Sequence, residues 1–222
     1  MSTEPLPDEL RRVIENDLHP VHPLSPVWLR TVVAVGILVV VLAFVLANAS
    51  LRSDLDELPM WLSWGCSVLQ LGLGMLLIGL AMREAIPGLS APRGVVRTAA
   101  VTALAAQIMV GIATAVYSPT ISLIGTIGPG VGCFQHESLM ALPTFVVVLW
   151  LVFHALPLRA PVAGLLGGAG ATVASDAVIH LVCPMSNLAH VLVWHTGVVV
   201  VFMGLGWLIG LIWQRIHWRR RA

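Results

Sequence analysis

The chain has 222 residues, 58% of them hydrophobic and 10% charged, with a formal net charge of +1. A soluble domain carries roughly 25% charged residues, so this composition excludes a water-soluble globular protein and indicates one built for a membrane. No basic patch is dense enough for direct binding of nucleic acid, and three cysteines cannot frame a disulfide scaffold, although one bridge stays open.

The first predicted element is an amphipathic helix over residues 5–18, PLPDELRRVIENDL. Leu6, Leu10, Val13, Ile14 and Leu18 form one stripe; Asp8, Glu9, Arg12, Glu15 and Asp17 lie opposite. Such a helix can lie on a lipid surface or dock on a cytosolic partner. A strong lipid binder shows a cationic face, and this segment has more acids than arginines, which favours docking. HPVHPLSP at 19–26 follows, and its three prolines predict a stiff spacer.

Six apolar runs then reach the 20 or so residues that a bilayer core requires, at 31–51, 60–82, 97–117, 139–158, 162–182 and 191–213. None alternates like a strand, so a six-transmembrane-helix bundle is expected rather than a barrel. The first run follows an acidic, proline-containing lead and is read as a retained span. Every basic residue is an arginine, and eleven of the twelve fall on one side of this arrangement; only Arg52 falls on the other. Positive charge stays cytoplasmic, which puts both termini inside. The expected organisation is a cytosolic segment and spacer at 1–29, a transmembrane domain at 30–214 and a basic tail at 215–222. External loops are then expected at 52–59, 118–138 and 183–190.

Two polar stretches interrupt the apolar background: GCFQHESLM at 132–140 and HLVCPMSNLAHVLVWH at 180–195. Asp176, His180 and Cys183 share a helical face, and Cys133, His136, Glu137 and Met140 would share one if their helix starts early enough. His190 and His195, five apart, should point about 140° away from each other in an α-helix. Three readings compete. Cys133, His136, His180, Cys183 and His190, with Met140 and Met185 nearby, could ligate copper or zinc, since thiolate, thioether and imidazole suit soft and borderline ions. Cys133 and Cys183 could instead form a redox-sensitive disulfide in an oxidising external compartment. Or all are satisfied polar residues at helix ends. Ionisable side chains are expensive in a membrane, which weighs against simple filler. Elsewhere, Cys66 reads as a packing residue, His154 as a hydrogen-bonded bundle residue, and GLLGGAGA at 164–171 as a small-residue packing surface.

With its short cytosolic lead, HPLSPVWLR before the first span, GCFQHES after the third and HLVCPMSNLAHVLVWH after the fifth, nearly the full chain resembles the negative regulator of sigma factor F family. The resemblance implies an integral inner-membrane anti-sigma factor, not an enzyme. Its partner would be an extracytoplasmic-function sigma factor, released on metal or oxidative stress, with Cys133 and Cys183 required for signalling. The alternative expectation is a membrane redox subunit or a metal- or haem-binding enzyme subunit.

Overall fold

The computed structural model describes residues 7–17, 23–117 and 130–219. Among them there is no strand. The chain forms α1 (Asp8–Asp17) and α2 (Val27–Asn48), then a π-helical turn (Trp61–Gly65) that runs into α3 (Cys66–Ala85). It continues as α4 (Arg93–Tyr117), α5 (Val131–His154) and α6 (Ala160–Val182). The last helix is composite: α7 (Leu188–His190), a second π-helical turn (Val191–His195) and α8 (Thr196–Arg219). Six of these helices are long and apolar enough to cross a membrane.

Helix limits follow local chemistry. Pro26 precedes α2 in an extended conformation, and proline occupies the first turn of α6, where its missing N–H costs nothing. α5 ends before Leu156, whose φ of 54° is the left-handed value that closes helices, and Pro157 prevents continuation. The fourth span is therefore Val131–His154 rather than 139–158, and Cys133 is helical rather than part of a loop. α8 continues through the expected tail to Arg219.

α6 occupies the centre, with α3 and α8 as its principal neighbours and α5 also against it; α2 packs on α5 and α3. Almost every residue of α6 is buried. Helices this apolar and long enough to cross a membrane are held together by close packing and polar bonds. The 164–171 run supplies the first. A Cβ built on Gly164 would overlap the carbonyl of Gly206, and one on Gly168 that of Phe202, so α6 and α8 touch backbone to backbone.

Polar bonds tie both ends. At one end the buried Arg30 guanidinium donates to the Leu151 carbonyl, and Arg159 pairs with Glu84 at 3.0 Å. At the other, the backbone N–H of Arg52 donates to the Leu181 carbonyl at 3.0 Å. Its buried guanidinium reaches Asp54 at 2.6 Å and Ser186 Oγ at 2.5 Å. His154 lies exposed and stacked on Trp150 rather than inside the bundle.

α1 presents Leu10 and Val13 to solvent, at 46% and 58% exposure. Leu6, Leu18, most of the 118–138 loop, Arg220 and Arg221 lie outside the described residues, as does the side chain of Ile14.

Candidate functional site

The chemistry-bearing side chains converge where α5 and the last helix begin and α6 ends. Because α5 starts at Val131, Cys133 and Glu137 (i, i+4) turn inward, with Glu137 fully buried. His136, one residue round, stays exposed with Nδ1 2.7 Å from the Gly132 carbonyl.

Cys183 caps α6 in extended geometry, φ −75° and ψ 119°. Pro184 imposes this, since the residue before a proline is disfavoured in the helical region. The thiol so placed lies 3.3 Å from Cys133 Sγ, and both cysteines are free. Asn187 then starts the last helix: its Oδ1 accepts the His190 N–H at 2.7 Å, an ordinary N-cap. This fixes His190, whose Nε2 is 3.4 Å from Cys183 Sγ.

His195 departs from expectation. The π-helical turn at Val191–His195, closed by the Thr196 N–H on the Val191 carbonyl, advances each residue through a smaller angle than an α-helix does. Residues five apart return to one side. The rings of His190 and His195 accordingly lie with centroids 5.3 Å apart instead of pointing away from each other. Nothing in VLVWH announces a π turn, so spacing alone discarded a residue that the fold brings in.

Donor atoms of Cys133, Cys183, His190 and His195 all lie within 4.8 Å of one another. A carboxylate layer backs them. His195 Nδ1 donates to Asp176 Oδ1 at 2.8 Å and lies 3.6 Å from Glu137 Oε2. The other Asp176 oxygen accepts from Gln70 Nε2 at 2.5 Å and Gln107 Nε2 at 2.6 Å. Asp176 therefore joins α3, α4, α6 and the π turn. His180 is turned elsewhere, with Nε2 3.0 Å from the Leu62 carbonyl in the first π turn. Of the five predicted metal ligands, then, Cys133, Cys183 and His190 stand together, while His136 and His180 stand apart.

Two surroundings complete the site. Arg52 covers it, and its hydrogen bond holds the Asp54 carboxyl below the usual carboxylate range. That contribution to the loop is present at neutral pH and is lost as pH falls through the lowered Asp54 value. The protection factor of the Arg52 amide, its exchange relative to that of an unstructured peptide at the same pH, should accordingly fall below about pH 3.9, the ordinary value for an aspartate. On the other flank an apolar cleft of about 700 Å³ opens beside α2, α5 and α6, and Cys133, His136 and Cys183 line it.

Fold and cluster define a helical protein with six membrane-length helices around a buried cysteine–histidine centre. The family described as negative regulator of sigma F matches residues 15–216, nearly the whole chain, and the protein belongs to it. It is thus a negative regulator with a sigma factor as its partner, in a family of regulators rather than enzymes. No curated protein and no solved structure matches the chain.

Proposed function

We propose that this protein is an inner-membrane anti-sigma factor of six spans with both termini in the cytosol. It holds an extracytoplasmic-function sigma factor through its cytosolic segment, residues 1–29, and releases it on metal or oxidative stress sensed at the periplasmic face. The observation that carries this reading is the pair of free thiols 3.3 Å apart, one on α5 and one ending α6. They sit at the end away from the arginine-rich termini of the spans. A pair held at this distance responds as a unit to an oxidant or an ion, and either event changes the relation of two helices packed at the core.

Topology tests the geography. Reporters fused after residues 57 and 187 should score external, and those after 20, 90 and 218 internal. An internal score at 187 would put the thiols on the sigma-factor side and end the sensing model. The partner contact is tested on α1, whose exposed Leu10 and Val13 are the apolar surface available for docking. Leu10→Glu with Val13→Glu places charge in that contact. The sigma factor should then no longer co-purify with the membrane protein, and its regulon should run unrepressed. Full retention of the sigma factor would move the contact to another cytosolic segment, such as 83–97.

A further inference from the structure

We infer that Cys133, Cys183, His190 and His195 form one four-donor site for a closed-shell soft or borderline cation, zinc(II) or copper(I). The inference rests on the sensor reading of this end of the bundle and names its ligand. Its basis is geometric. Four donor atoms are gathered within 4.8 Å of one another, and the Cys133–Cys183 and Cys183–His190 separations of 3.3 and 3.4 Å already have the edge length, about 3.3–3.8 Å, of a tetrahedral shell with bonds of about 2.0–2.3 Å.

The imidazoles are prepared for it. Asp176 holds His195 by Nδ1, which leaves Nε2 as the nitrogen available to an ion; Nε2 has no hydrogen-bond partner among the described residues. A carboxylate that orients a ligating histidine in this way is the usual outer layer of a zinc site. His190 is placed by its N-cap, with Nε2 already against Cys183.

The donor set narrows the choice of ion. Glu137 and Asp176 lie in the same buried region as the two thiols, and neither Glu137 oxygen has a hydrogen-bond partner among the described residues. Zinc(II) taken up in exchange for two thiol protons leaves the net charge of that region unchanged, so it is accommodated without burying additional charge. Hard cations that prefer oxygen donors are disfavoured by the same donor set.

The test uses the full-length chain, reduced and kept anaerobic in detergent micelles. Zinc(II) is titrated against a chromophoric zinc chelator and copper(I) against a copper(I) chelator, so the tighter arm identifies the ion. One ion per chain is expected, and Cys183→Ser and His195→Gln, each removing a ligand, should lower the affinity by at least about 100-fold, the upper end of what loss of an outer partner costs. Cobalt(II) added to the unaltered protein should give thiolate charge-transfer and tetrahedral d–d absorption, a readout independent of any variant's folding. Absence of both the cobalt bands and one-to-one binding overturns the site, as does unchanged affinity in His195→Gln. Tight binding that leaves sigma-factor retention unaltered upholds the site and removes the sensing role. Release by a thiol oxidant from a chain that binds neither ion overturns the site and leaves sensing to a disulfide.

Discussion

Cys133→Ser and Cys183→Ser should each leave the sigma factor repressed under the stress that frees it from the unaltered protein, and the double variant should be no more defective than either. The two sulfurs touch at 3.3 Å across the α5–α6 contact. Neither a disulfide nor a shared ion survives the loss of one partner, so the second substitution removes nothing further, as expected of residues acting as a unit. Serine nearly preserves shape, and Cys183 lies at a helix end rather than mid-core, so the bundle should still assemble. Repression in unstressed cells would be retained and report this directly. The measurement is sigma-dependent transcription with and without metal or oxidant for all four genotypes. Normal induction in the double variant would return the cluster to helix-end packing.

Gly168→Leu should be strongly damaging to the bundle. A Cβ at Gly168 would overlap the Phe202 carbonyl, and main chain cannot rotate aside as a side chain can. α6 and α8 would have to part along the contact that also includes Gly164 and Gly206. Overpacking of a tight core costs about 1–3 kcal/mol, and a backbone clash belongs at or above the upper end. Gly204→Leu is the matched control, because a Cβ there meets nothing within 4 Å. Thermal unfolding in detergent should show a large loss for the first and little for the second. Equal stability would mean that α8 contributes no tight packing to α6.

Much of the fold is legible in the sequence. Each helix that is long and apolar enough to cross a membrane overlaps an apolar run visible in the sequence, because 20 or so nonpolar residues announce themselves whatever they pack against. The 164–171 run is as plain: so many small residues together on one apolar helix serve close approach of a neighbour. The limits of α5 are not. GPGVGCFQHES has glycines and polar residues that read as loop, yet the helix begins at Val131, eight residues before the apolar run.

The site was half visible. CP and SNLAH carry local rules, a proline that sets the preceding residue and an asparagine that caps, and those rules fix Cys183 and His190. His195 depends on a π turn, which is stabilised by its surroundings and leaves no periodicity in VLVWH. Gln70 and Gln107 are isolated amides 37 residues apart that acquire meaning only when Asp176 arrives between them.

That arrival has a timetable. Gln70 and Asp176 are separated by 106 residues. At a synthesis rate of about 5–20 residues per second, roughly 5–20 seconds pass before the aspartate that Gln70 and Gln107 share has been made. The two amides are also bonded to each other, at 2.9 Å in the complete fold. When α6 is made, it enters bearing a carboxylate, and His195, another 19 residues on, is the last partner to appear. Any chain that ends between 176 and 195 therefore carries the Asp176 carboxylate without the imidazole that the full fold sets against its Oδ1, and the junction of four elements closes only when the last helix is in place.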